Sequence, residues 1–266
     1  MNVDHSFNQR RLYFMRLIFP VFVALVLICT SSFSANLVEE FEKGLDDWVV
    51  VDEPPALLND KGPSNWVTEA GPFKGKALNQ KTNIWGDVPD VVALGSFIIY
   101  DKQEFKNFDL SVEMQANDND GVGIVFGWKS RTDHYRFFTM VDPGNPGGAA
   151  GNAGDPGKAP WSLLEKRIGD DSPYYKTLKV VREASYQPNT PTTWRLVVAD
   201  GKFEFYWEKK KMIEASDPAY TGGKIGFTVY AQSGNYFDNL VVKDNSAPVE
   251  PKSKLASTWG KLKLSN

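Results

Sequence analysis

The sequence predicts an all-β fold, a sandwich or jelly roll of two antiparallel sheets in one domain. Three observations point there. Phe108, Leu110, Val112 and Met114 alternate with Asp109, Ser111, Glu113 and Gln115, the period of a strand with one dry and one wet face. Turn-forming residues recur at short spacing, at 117–121, 130–133, 200–201, 222–223 and 234–235, which is the rhythm of a sandwich. The apolar runs between those turns are short, so the spacing leaves room for about a dozen strands and almost no helix.

The chain has 266 residues and a formal net charge of −3. That balance excludes nucleic acid as a partner, because phosphate binding needs a basic surface. Residues 1–34 read as a secretory signal peptide. Arg10, Arg11 and Arg16 precede an apolar run at 17–29, and small residues lead to Ala35. The run is shorter than the roughly 20 residues a membrane span needs. A mature chain without a membrane span, extracellular or periplasmic, is therefore expected. Cys29, the one cysteine, falls in this leader. Cleavage removes disulfides, zinc thiolates and cysteine nucleophiles from the account. Of the histidines only His134 remains, and it reads as a histidine on a strand flank rather than half of a triad.

Residues 35–245 form the expected domain. Residues 36–51 give two short strands around a turn, and 52–90 give irregular loops with a few short strands. Residues 91–100 read as a strand buried on both faces, and 108–141 as three strands joined by two turns. The Gly/Pro-rich stretch 142–160 cannot hold regular structure. Residues 161–168 read as one or two helical turns, 175–182 as a strand and 186–193 as a Pro-containing loop. Asp200-Gly201 is a tight hairpin turn between 194–198 and 202–207. Strands at 224–231 and 236–243 close the domain. Residues 246–266 are a linker and a basic tail, read as a docking or sorting segment or as a frayed end. Phe126, Phe227 and Trp194 are expected to share one interior.

The candidate sites are oxygen-rich turns and loop aromatics. Calcium wants six to eight oxygen ligands, and Asn117, Asp118, Asn119 and Asp120 supply several in one turn; the alternative is a solvated Asx turn. Asp238 lies between Phe237 and Leu240, where a carboxylate needs a partner to offset desolvation. A calcium joining it to Glu40 or Glu42 would staple the chain ends; the alternative is a hydrogen-bonded rim carboxylate. Trp66, Trp85, Trp161, Tyr174 and Tyr175 lie in loop-like sequence. Trp161, Tyr174 and Tyr175 are the ligand-binding candidates, stacking on sugar rings, unless they cover the edge of the core. Glycoside hydrolysis needs a carboxylate pair. No strand carries alternating acids for it: Glu204 and Glu208 are separated by bulky aromatics, and Glu113 stands alone. No phosphate-cradling loop or nucleotide fingerprint is present.

The run from Asp118 to Trp128 (DNDGVGIVFGW), the aromatic strand Tyr135 to Met140, and the later Trp194-Arg195-Leu196, Tyr206-Trp207-Glu208 and Tyr236-Phe237-Asp238-Asn239-Leu240 resemble the thrombospondin C-terminal domain. The resemblance implies a concanavalin-like (LamG-like) jelly roll, secreted, calcium-binding, and used in adhesion or matrix contact. The upstream calcium repeats of thrombospondins are absent. FEKGLDDW at 41–48 and FDNLVV at 237–242 are also similar to the ends of bacterial laminin-G-like and keto-disaccharide hydrolase domains. The expected function is a calcium-binding, lectin-like sandwich that binds carbohydrate or another surface ligand without catalysis. The alternative is a glycoside hydrolase on the same fold.

Overall fold

The computed structural model describes residues 36–54, 62–84, 94–142, 152–153, 158–171 and 173–246. The expected leader, Trp85 and the tail beyond Ser246 lie outside the described residues. Among the described residues there are sixteen strands and no helix. They are β1 (Asn36–Glu39), β2 (Trp48–Asp52), β3 (Trp66–Ala70), β4 (Lys76–Gln80), β5 (Ser96–Tyr100), β6 (Phe108–Ala116), β7 (Gly121–Ser130) and β8 (Asp133–Met140). They continue as β9 (Asn152–Ala153), β10 (Trp161–Arg167), β11 (Tyr175–Val181), β12 (Thr192–Ala199), β13 (Lys202–Trp207), β14 (Lys210–Ser216), β15 (Lys224–Tyr230) and β16 (Asn235–Asp244).

Two sheets form. The first runs β14-β13-β12-β6-β16-β4-β3, with β1 also paired to β16; the second runs β2-β5-β15-β7-β8-β10-β11-β9. Every pair is antiparallel except β11 with β9. The period-two pattern of β6 becomes a strict buried/half-buried alternation, and β12 beside it does the same. Their dry faces meet the inner face of the second sheet. Phe126, Phe227 and Trp194 lie in one core cluster, as expected. Phe137 stacks on Phe205 at 3.3 Å and Phe227 on Phe237 at 4.2 Å, each pair joining the two sheets. Rings packed this way supply most of the core's apolar burial.

Two sequence expectations need correction. Residues 161–168 are not helical: Trp161–Arg167 is a strand between β8 and β11. Trp161 and Leu163 face one side and Leu164 the other, a period of two that a short apolar run does not separate from a helix turn. The Gly/Pro-rich stretch does contain a two-residue strand, Asn152–Ala153, beside the start of β11. β14 returns from β13 through Glu208-Lys209, a two-residue turn without glycine. Glu208 takes a positive φ of 54° there. Its carboxylate accepts from Thr192 Oγ1 at 2.6 Å and Thr193 N at 2.8 Å, which offsets that conformation. The Asp200-Gly201 hairpin has the two positive φ angles expected of it, 49° and 77°.

Candidate functional site

At one end of the first sheet, β3, β4 and β16 meet the turn after β6. A 550 Å³ groove opens there, lined by Glu69, Asn79, Lys81, Asn117, Asp118, Ser233, Gly234 and Tyr236. Register explains the gathering. Tyr236 pairs with Asn79 across β16–β4 and with Gln115 across β16–β6, so all three project on the solvent side, away from the core residue Phe237. Tyr236 is half-buried. Its ring covers Gly71, where a side-chain carbon would come within 2.8 Å of it.

The polar groups are ordered around that ring. Asn79 is 2% exposed and its Nδ2 donates to Glu69 Oε1 at 2.7 Å. Its Oδ1 has no hydrogen-bond partner among the described residues, a state that costs about 1–3 kcal/mol for a buried acceptor. Lys81 Nζ holds Glu69 Oε2 at 2.7 Å. The hydrogen bonds from Lys81 and Asn79 keep the Glu69 carboxyl below its ordinary range. Asn117 closes the groove over Gly234, whose φ is 75° and whose absent Cβ would stand 2.9 Å from Asn117 Nδ2; glycine is required on both counts.

The turn expected to hold calcium is only partly gathered. Asn117 and Asp118 reach the groove, but Asn117 Oδ1 takes Gln115 Nε2 at 2.9 Å and Asp118 Oδ1 takes the N–H of the next residue, Asn119, at 2.9 Å. The Asn119 carbonyl accepts from Val141 N and Asp142 N. The Asp120 carbonyl accepts from Tyr186 Oη and Gln232 Nε2. Burial, with Asp118 and Asp142 nearby, pushes the Asp120 carboxyl up to about 7. Asp238 lies elsewhere, opposite Glu113 on β6. Burial, with Glu113, Glu42 and Glu40 nearby, raises its carboxyl to about 6, although the N–H of Asn239 offsets part of this at 2.7 Å. Glu42 is engaged with Lys76 N at 3.0 Å. β1 and β16 are joined by their antiparallel ladder. Among the described residues no three His, Cys, Asp or Glu side chains are grouped to hold a metal. Of the expected calcium ligands, Asn117, Asp118 and Asp238 each hold a hydrogen bond within the chain.

The aromatic candidates are corrected as well. Trp161 and Tyr175 are fully buried, Tyr174 is 8% exposed and Trp66 7%. Trp161 and Tyr175 lie on strands, not loops. Trp161 packs with Phe138 and Met140, while Tyr174 and Tyr175 pack together with Leu94 at the other end of β10. The Arg136 guanidinium lies between the rings of Tyr175 at 3.8 Å and Phe138 at 4.0 Å. Arg136 pairs with Glu165 at 2.6 Å, and Glu53 pairs with Arg167 at 3.0 Å and Arg131 at 2.6 Å. His134 donates Nδ1–H to Ser130 O and accepts the Tyr175 hydroxyl at Nε2 (3.0 Å). Burial, with Arg136 and Arg167 beside it, holds its pKa well below the ordinary value, so it is neutral. The outer side of β8 and β10 is a packed ionic and aromatic layer closed to a sugar ring.

The fold is a jelly roll. A Bacteroides ovatus mixed-linkage glucan GH16, solved with a G4G4G3G product, superposes with a TM-score of 0.52 at 10% identity, over 78% of this chain and 98% of that one. The carbohydrate-binding module CBM66 of Bacillus subtilis matches with a TM-score of 0.49 at 13% identity, over 75% and 97%. A Bacillus subtilis protein of unknown function with a galectin-like fold gives 0.49 at 12%, over 75% and 90%. No protein-family model matches the sequence, and no curated protein does. Tyr236, Asn79, Glu69 and Lys81 were not singled out by sequence. The signal available was Tyr236 at an outward position of the closing strand, beside the inward Phe237.

Proposed function

We propose that this protein is a carbohydrate-binding β-sandwich that holds sugar in the groove at Tyr236 without turning it over. One observation carries the reading: a half-exposed tyrosine ring flanked, on the same sheet face, by an unpartnered amide oxygen and two carboxylates. A sugar presents an apolar C–H face to a ring and hydroxyl donors to the acceptors around it, and few polar groups beside an aromatic wall are the usual make-up of a small-ligand site. The GH16 of the same fold holds a glucan product, and this reading takes a sugar ligand here too. Export by the leader at 1–34 would put the groove where extracellular glycans are met, in an adhesive or scavenging role. The thrombospondin subtype and its calcium are not used by the reading.

Retention without hydrolysis follows from the carboxylates. A glycosidase needs one carboxyl kept protonated and one ionised. Glu69, the groove acid tied to Lys81 and Asn79, is fixed as an acceptor. The test is affinity electrophoresis against a polysaccharide panel (β-glucan, mannan and galactan), with parent and Tyr236→Ala. At least one polysaccharide should retard the parent, with roughly tenfold weaker retardation for the variant, the size expected when a stacking ring is lost. Equal retardation of the two proteins, or release of reducing sugar that grows with time, contradicts the proposal.

A further inference from the structure

Building on that reading of the groove, we infer that it selects uncharged, hydroxyl-rich sugars and rejects uronates and sulfated glycans. The argument is a count of donors, acceptors and charges. Acceptors dominate the lining: the Glu69 and Asp118 carboxylates, with the unpartnered Oδ1 of Asn79 buried beside Glu69. Each suits a hydroxyl that donates. Lys81 is the one cation among the lining residues, and Glu69 already holds it at 2.7 Å. It has no charge to spare for a ligand carboxylate. Two carboxylates against one ammonium leave the lining net negative.

Asp142 adds to the same field, since it and Asp118 both act on the Asp120 carboxyl, which itself keeps its proton up to about pH 7. An anion placed on the Tyr236 ring would therefore meet like charge from Glu69 on one wall and Asp118 on the other. At such separations, and at the dielectric of a protein surface, repulsion amounts to a factor of about ten or more in affinity. A neutral ligand feels none of it, so its binding should not depend on salt.

The test uses one polysaccharide in two charge states. The neutral polymer best retained by the parent protein is oxidised at its C6 hydroxyls, turning CH₂OH into carboxylate while leaving the backbone intact. Parent binding to short oligosaccharides of each form is measured by calorimetry. The oxidised form should bind at least about tenfold more weakly, and salt should narrow that gap by strengthening the oxidised form alone. In the double variant Glu69→Gln, Asp118→Asn, Lys81 becomes the uncompensated charge and the preference should reverse towards the oxidised form. The readout is the ratio of the two affinities, not either one. Equal affinities in the parent, or a ratio that neither salt nor the double variant moves, overturns the charge selection while leaving sugar binding at the groove in place. If no member of the neutral panel is retained, the underlying reading falls and this inference with it.

Discussion

Asp120 illustrates how much one side chain depends on its surroundings. Its carboxyl ordinarily titrates at 3.8 and is pushed to about 7 in the fold, by burial and by Asp118 and Asp142. Between those values the folded chain holds a proton that the unfolded chain has lost, so this group makes stability fall as pH rises from about 4 to about 7. Asp120→Asn removes the dependence while keeping the backbone carbonyl that Tyr186 and Gln232 hold. The variant should melt level with the parent at pH 4 and roughly 2–4 °C higher at pH 8, the shift expected for about 1 kcal/mol in a domain of this size. A uniform gain or loss across pH would remove the carboxyl as its cause. At this scale the sequence was half legible. Asn117 and Asp118 announce a turn by composition alone, and the turn does line the groove. Tyr236 shows only its outward place beside Phe237, and Asn79 and Glu69 carry no local sign, because their meaning comes from strands distant in sequence and adjacent in register. Trp161 and Tyr175 misled for the converse reason. Gly/Pro-rich neighbours made them look like loop residues, while the pairing of β10 and β11 carried them inside.

Among the elements, β8 and β10 carry the clearest liability. Arg136 and Glu165 face each other across this pair with no solvent exposure. Burying both charges contributes little net stability, but removing Glu165 takes from the buried Arg136 its 2.6 Å counter-charge, at a cost of about 3–5 kcal/mol. Glu165→Ala should lower the unfolding free energy in urea by that amount; a loss below about 1 kcal/mol would mean Arg136 is satisfied without it. Strands with one wet face, such as β6 and β12, were readable from alternation. Strands buried on both faces lose that alternation, which is why β10 read as helix. The β13–β14 turn was missed because Glu208 does there what glycine usually does, held by Thr192 and Thr193.

For the molecule as a whole, the two faces of the sandwich have been put to different uses. On the second sheet the outer side of β8 and β10 is packed, with Arg136 over the rings of Tyr175 and Phe138, while β2 exposes Val49 and Val50. The first sheet leaves its outer face wet, and at one end that face becomes the groove. The sandwich and its shared aromatic interior followed from turn spacing and periodicity. Which face would be open did not, since it depends on pairing between strands distant in sequence. The account's central claim is that the open face at Tyr236 receives the ligand. A ¹H–¹⁵N correlation spectrum, titrated with an oligosaccharide of the retained polysaccharide, tests it most directly. Shifts should cluster on Asn79, Lys81, Asn117, Ser233 and Tyr236; shifts centred instead on His134, Arg167 and Tyr175 would place the ligand on the opposite sheet and contradict the account.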